Sequence, residues 1–284
     1  MTIDLARVRE LTGRSFAERD FVVLPRDGFT LVVLADDLMA YVPTTDDART
    51  RLAAQRRFLT RIAARVSFAV PRPVGPIDCD VDLRVPAPGQ TGSKHHDRLM
   101  QDPDLAARAG EWMGRCLAEL HSSLTKTELD SLSVPRPLWP RPREELVRDV
   151  DALLEGDLRN AALRCLLDWY ESKSERAKKP DVLVHGDFAS HNFAFDEKSG
   201  MPTGLFDFHD GGRGPRVLDF APLPSYGDAV VRRALVAYGR DAPSLDEVRL
   251  AHAVSAISYL PFREKSSAVE WVKSALSTAG FSIL

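Results

Sequence analysis

At 284 residues, with 44% hydrophobic and 28% charged side chains, the chain has the make-up of a globular protein able to bury one large core or two lobes. Its net charge of −3 and sequence pI of about 6.2 argue against a nucleic-acid partner, which calls for a basic patch and a high pI, and suit a cationic small molecule. Cys79, Cys116 and Cys165 are too few and too far apart for a disulfide framework or a zinc knuckle. No apolar run approaches spanning length, and residues 1–7 lack a basic stretch followed by an apolar one. Neither a membrane partner nor a signal peptide is therefore expected, and a cytoplasmic location is.

In chain order, residues 4–12 read as a short helix. Apolar runs at 21–24, 29–34 and 38–42, punctuated by Arg26-Asp-Gly28 and Asp36-Asp37, predict a meander of antiparallel strands. Thr44-Thr45-Asp46-Asp47 supplies capping groups and early negative charge for a helix whose apolar positions are Leu52, Phe58, Leu59 and Ile62. Pro71-Arg-Pro73 ends that region, and Val81–Val85 alternates as a further strand. The breaker-rich segment 86–94 marks a boundary, giving an N-terminal lobe of residues 1–86 and a larger lobe of residues 87–284. Helices are predicted over 104–122, 142–155 and 159–175, then over about 227–240, 244–262 and 266–279. The expected fold class is therefore α+β: a small antiparallel β-rich lobe followed by a mainly helical one.

The helical part is interrupted by two short apolar runs with polar ends. Val182-Leu-Val-His-Gly-Asp-Phe-Ala-Ser-His-Asn-Phe193 delivers His185, Asp187 and Asn192, and Gly204-Leu-Phe-Asp-Phe208 delivers Asp207. Asp187 can accept a proton. Asn192 and Asp207 offer oxygen ligands of the kind Mg²⁺ takes alongside phosphates. Such a set suits phosphoryl transfer, where catalysis is mostly positioning and charge neutralisation. Taken alone, Asp187 and Asn192 also read as Asx-type caps of a turn. Asp210 reads as a loop acid or as a contact for a metal or acceptor. His185, Asp187 and His191 share ligand-like spacing for zinc, with His209 and the His95-His96 pair nearby in sequence; no recognisable zinc cluster accompanies them.

His185-Gly-Asp187-xxxx-Asn192, the strand ending in Asp207, Gly214-Pro-Arg-Val-Leu-Asp219 and the upstream Gly114-Arg-Cys-Leu-Ala-Glu-Leu-His121 together resemble the aminoglycoside phosphotransferase family. That family is a branch of the protein-kinase-like fold that includes choline kinases. The resemblance implies a two-lobed kinase-like fold, ATP or GTP as phosphoryl donor, Mg²⁺ as cofactor and a small-molecule hydroxyl as acceptor. Carried over, Asp187 matches the catalytic aspartate, and Asn192 and Asp207 match the Mg²⁺ ligands. His185 matches a supporting residue of the catalytic loop, and Asp219 a buried aspartate that braces it.

The nucleotide side departs from the family pattern. Kinase-type folds place a lysine on the third strand, paired to a glutamate on the next helix. The first lysine here is Lys94. Tyr41 stands near the lysine position and Gln55 near the glutamate position. Arg26, Arg49, Arg56 or Arg84 can approach phosphate instead, though with different geometry; Tyr41, Gln55 and Arg84 are the expected nucleotide-side residues. In length and in lacking a strand lysine the chain also resembles the viomycin and capreomycin phosphotransferases, which implies a cationic antibiotic as one acceptor class. The alternatives are a catalytically impaired kinase-fold binding protein and a zinc-dependent hydrolase.

Overall fold

The structure, a computed structural model, describes residues 10, 21–26, 29–34, 38–75, 81–91, 93–137, 139–172 and 181–283, with the backbone alone for those of 21–34 and for 93 and 94. The helix expected over 4–12 lies outside these apart from residue 10, as do the Asp27-Gly28 and Asp36-Asp37 turns.

Strands β1 (Phe21–Arg26), β2 (Phe29–Leu34) and β3 (Met39–Pro43) form the expected meander. It continues into β5 (Asp82–Val85) and then β4 (Arg72–Val74), so that the five-stranded sheet runs β1-β2-β3-β5-β4. The segment Pro71-Arg-Pro73, expected only to end the preceding region, contributes β4 instead. Its prolines are tolerated because β4 is an edge strand, where one face of the backbone needs no donor.

Helix α1 (Asp46–Ile62) follows β3. The Thr45 side chain accepts from the backbone N–H of Ala48, and Asp46 and Asp47 place negative charge at the positive end of the helix dipole. Its inward face carries Leu52, Phe58, Leu59 and Ile62 as expected, but also Gln55 and Arg56, both buried. Polar groups on a buried face require partners.

The remainder is mostly helical: α2 (Ser93–Gln101), α3 (Pro103–Ser122), α4 (Lys126–Ser131), α5 (Arg143–Leu153), α6 (Gly156–Glu171), α7 (Val217–Phe220), α8 (Asp228–Tyr238), α9 (Leu245–Ser258) and α10 (Lys265–Thr278). Helix α2 starts inside the segment read as a linker: Pro86, Pro88 and Gly89 are breakers, whereas Arg98, Leu99, Met100 and Gln101 are good helix formers. Helices α3 and α8 approach closely at Gly110 and Gly114. A Cβ on Gly114 would lie 2.1 Å from the Ala234 carbonyl oxygen, so only glycine fits there. One apolar core runs from α1 through the helices, and no described helix is long and apolar enough to cross a membrane.

Four short strands interrupt the helices: β6 (Val182–Val184), β7 (Phe193–Phe195), β8 (Pro202–Leu205) and β9 (Gly212–Gly214). β7 pairs with β8, and β6 pairs with β9 around them. Nested pairing brings the loop after β6 beside the loop after β8, which is where the sequence motifs lie. Backbone bridges from Ala69 to Gly204 and from Gln90 to Phe195 tie the inner hairpin to the five-stranded part of the molecule.

Candidate active site

The two loops touch at Gly186 and Asp210. Gly186 has φ 85°, and a Cβ there would sit 2.2 Å from the Asp210 carbonyl oxygen. A side chain would separate the loops, so the glycine of the His-Gly-Asp motif is a packing requirement.

Asp219, fully buried on α7, shapes the first loop. Its Oδ1 accepts from the Gly186 N–H (2.8 Å); its Oδ2 accepts from the His185 N–H (2.8 Å) and from His121 Nε2 (2.9 Å). His121 closes α3, and its Nδ1 lies 3.0 Å from the Tyr238 hydroxyl, which also accepts from Arg216 Nε (3.1 Å). The small residues at the α3–α8 contact allow this meeting of helix ends. His121 stands at the end of the Leu-His helix in the sequence, but nothing in the sequence ties it to Asp219 98 residues away.

His185 joins the two loops. Its Nε2 donates to the Phe206 carbonyl (2.8 Å) and its Nδ1 accepts from the Asp187 N–H (3.3 Å). A carbonyl only accepts and a peptide N–H only donates, so the ring proton sits on Nε2. One ring thus fixes Asp187 relative to the residue preceding Asp207. Both ring nitrogens are engaged, which leaves His185 none for zinc, and among the described residues no three His, Cys, Asp or Glu side chains gather as a metal cluster.

Asp187 is held from one side. Its Oδ2 accepts from Asn192 Nδ2 (2.8 Å) and from His191 Nε2 (3.0 Å), while Oδ1 makes no hydrogen bond among the described residues. Burial pushes the carboxyl up, but the hydrogen bond and charge of His191 and the hydrogen bond from Asn192 outweigh it, and Asp187 ends below its ordinary range. His191 is correspondingly raised, chiefly by its hydrogen bond to Asp187. His191 therefore serves Asp187 as a partner at i+4, a role that its spacing in the motif does not by itself reveal.

Asn192 also donates to the Asp187 carbonyl (2.9 Å), which leaves its amide oxygen as the acceptor it can offer elsewhere. Asp207 adopts φ 55°, ψ 64°, a left-handed conformation that costs a non-glycine residue about 1–2 kcal/mol. Its carboxylate has no hydrogen bond or ion pair among the described residues. An amide oxygen and a free carboxylate on adjoining loops fit Mg²⁺, which binds through one or two such oxygens together with phosphates. Asp210 stands close enough for charge to matter: burial first, then the charges of Asp187 and Asp207, push its carboxyl up to about 6, against a lowering by Arg51.

Aromatic groups flank the carboxylates. The Tyr259 hydroxyl is raised by burial and by the charges of Asp187 and Asp210. The Trp271 ring lies 6.0 Å from Tyr259, and the Arg263 guanidinium stacks 4.5 Å above Trp271.

The nucleotide-side residues named from the sequence converge in a second cluster. Arg84, on β5, lies 4.3 Å above the Tyr41 ring, and its Nη2 donates to Gln55 Oε1 (3.0 Å). Arg84 Nε and Nη2 also reach Asp82 Oδ2 (2.8 and 2.5 Å), and Gln55 Nε2 donates to the His209 carbonyl (3.2 Å). Arg56 binds Asp82 Oδ1 (2.8 Å) and the carbonyls of Val74 and Gly75 (2.9 and 2.6 Å), so it clamps α1 to the β4 end of the sheet. Arg49 is exposed on α1, and the side chain of Arg26 lies outside the described set. Asp82 was not singled out in the sequence; a carboxylate inside an alternating strand gives no sign that two arginines will share it.

The model of the phosphotransferase enzyme family, APH, matches residues 30–251. A comparison with curated protein sequences finds no match. Among solved structures, the fold is similar to the GDP and kanamycin complex of APH(2")-IIia, with TM-score 0.71 and 17% identity over 97% of this chain and 96% of that one. It is similar also to a macrolide 2'-phosphotransferase type I, with TM-score 0.63 and 18% identity over 98% and 97% of the two chains. The apoenzyme of macrolide 2'-phosphotransferase MphH from Brachybacterium faecium gives TM-score 0.62 and 17% identity over 97% and 96%. With most of its length matched by the family model and its kinase-like architecture shared by these structures, the chain belongs to the APH phosphotransferase enzyme family.

Proposed function

We propose that this protein transfers the γ-phosphoryl group of ATP or GTP to a hydroxyl of a small, cationic acceptor such as an aminoglycoside or a related antibiotic. The observation that carries this reading is the state of Asp187: one carboxylate oxygen is fully engaged by Asn192 and His191, and the other is open, on a loop that His185 locks to the Asp207 loop. A low-pKa carboxylate fixed on one side can orient an acceptor hydroxyl and take its proton as the oxygen attacks the γ-phosphorus. The products are the phosphate ester, the nucleoside diphosphate and a proton. Asn192 and Asp207 would hold Mg²⁺, which when bound neutralises charge on the phosphates. Residues 1–86 are read as the nucleotide side and residues 87–284 as the acceptor side. There the carboxylates of Asp187, Asp207 and Asp210 would attract amino groups, and Tyr259 and Trp271 would offer faces to a ring.

A nucleotide-consumption screen of Mg²⁺-ATP and Mg²⁺-GTP against aminoglycosides, macrolides, peptide antibiotics and amino alcohols tests the reading. With the acceptor found, Asp187→Asn should lower turnover about a thousandfold while leaving nucleotide affinity within a few-fold of wild type. Turnover that survives the substitution would remove Asp187 from its role. A second reading is favoured by Tyr41 and Gln55 standing where a lysine and a glutamate are usual: a kinase-fold binding protein without transfer. It predicts ligand binding with no nucleotide consumed for any acceptor.

A further inference from the structure

The cluster on the nucleotide side holds more positive than negative charge. Arg56, Arg84 and Asp82 have side chains 8%, 1% and 6% exposed, so two guanidinium groups share one carboxylate in a buried place. Among the described residues no second acid joins them. Buried charge without a counter-charge is costly and persists where something else compensates it. Arg56 bonds Asp82 once and satisfies its other donors on three carbonyls, those of Val74, Gly75 and Leu83. Arg84 bonds Asp82 twice and has Gln55 as its other side-chain partner; carbonyls and an amide are neutral, so the pair of arginines keeps one positive charge in excess, and Arg84 Nη1 has no hydrogen bond among the described residues.

Gln55 orients the guanidinium without cancelling its charge. Through its other atom it holds the carbonyl of His209, two residues past Asp207. One side chain therefore connects the spare positive charge to the loop that bears the proposed metal ligand. The route by which the charge arrives is also visible. β3 and β5 are neighbours, with Met39 opposite Arg84 and Tyr41 opposite Asp82. An arginine reaching across from β5 thus covers the ring of Tyr41, the residue at the usual lysine position, with cation–π support.

We propose that Arg84, oriented by Gln55, supplies the positive charge that holds the phosphates of the donor nucleotide, in place of a lysine on β3 and a glutamate on α1. The inference rests on the phosphotransferase reading. Arg84 acts as a positioning residue, through a charge set in a low-dielectric cluster beside the metal loop. Its effect should grow with the number of phosphates on the ligand and vanish for a bare nucleoside.

Calorimetric titration of the full chain with Mg²⁺-ATP and Mg²⁺-GTP, and with adenosine and guanosine, tests this. Arg84→Met leaves Asp82 paired with Arg56, so no buried carboxylate is stranded, and a circular-dichroism melt verifies the fold. Affinity for the preferred triphosphate should fall about ten- to a hundredfold, with nucleoside affinity unchanged. Arg84→Lys should retain most of the triphosphate affinity. The triple variant Tyr41→Lys, Gln55→Glu, Arg84→Met, which restores a strand lysine and its acid, should recover it. A folded Arg84→Met that binds triphosphate like wild type, or loses triphosphate and nucleoside equally, overturns the assignment of Arg84 and leaves the phosphotransferase reading standing. Should Arg84→Met not fold, a folded triple variant decides: triphosphate binding supports the proposal and its absence overturns it. A wild-type protein that binds neither triphosphate overturns both.

Discussion

Asp219 and Asp82 are both buried carboxylates that accept three hydrogen bonds, yet their partners differ in kind. Asp219 receives two backbone N–H groups of the loop it supports and one imidazole. Asp82 receives two guanidinium groups from different elements, Arg56 on α1 and Arg84 on its own strand. The first arrangement fixes the shape of a loop, because backbone donors leave the peptide no freedom to turn. The second fixes a charge, because two cations around one anion leave one in excess. The molecule thus uses the same kind of buried side chain to set geometry in the loop after β6 and electrostatics beside the five-stranded sheet.

Removing either aspartate should produce the largest stability loss. Asp219→Ala leaves three donors without an acceptor, and Asp82→Ala leaves two buried cations unpaired, each costing about 3–5 kcal/mol in urea unfolding. The comparison predicts a difference in rescue. Tripolyphosphate should recover part of the Asp82→Ala deficit, since an anion can replace the missing charge, and none of the Asp219→Ala deficit. Equal recovery, or none for Asp82→Ala, would break the distinction between the two clusters.

Asp210 offers a smaller, pH-dependent effect beside the first cluster. Its carboxyl titrates at about 6 in the folded protein against an ordinary 3.8. Above pH 6 it is ionised in both folded and unfolded states, and the folded state bears the whole cost of about 2–3 kcal/mol. Below pH 4 it is protonated in both, and the cost is gone; the stability associated with the protonated group is lost as pH rises from 4 to 6. Asp210→Asn should therefore raise the thermal midpoint by a few degrees at pH 8 in metal-free buffer and give no gain at pH 4. A gain of equal size at both pH values would show that charge is not its cause.

The smallest effect concerns the second cluster from a distance. Thr45→Ala removes the side-chain cap of α1 and should cost about 1 kcal/mol, read from the denaturation midpoint. Gln55 and Arg56 sit two to three turns further along the helix, so nucleotide affinity should hold. A matching loss of affinity would mean that α1 positions the cluster as a rigid whole.

Much of the Asp187 loop was legible in the sequence because it is contiguous. His185, Asp187 and Asn192 fall within eight residues, and an apolar strand before each loop announces where the polar groups emerge. The strand meander and the long amphipathic helices were legible from periodicity, and the helix α1 from its cap. The edge strand β4 and the helix α2 were not, since prolines and glycines around them resemble the punctuation of loops. The partners were harder still: His121 and Tyr238 behind Asp219, and Arg56 on Asp82, are joined by packing and leave no local pattern.

The sequence by itself determined the chemistry available: the spacing of Asp187, Asn192 and Asp207, the glycine between His185 and Asp187, and the absence of any lysine before Lys94. These are properties of a short stretch of backbone or of composition, and they survive without knowledge of distant contacts. Only the tertiary structure decided how that chemistry is held. Nested strand pairing set the two loops together, the α3–α8 contact brought His121 to Tyr238, and the β3–β5 pairing laid Arg84 over Tyr41. Hydrogen bonds and charge act over a few ångströms in space whatever the separation in sequence, so partners 29 to 154 residues apart become visible only once the chain is folded.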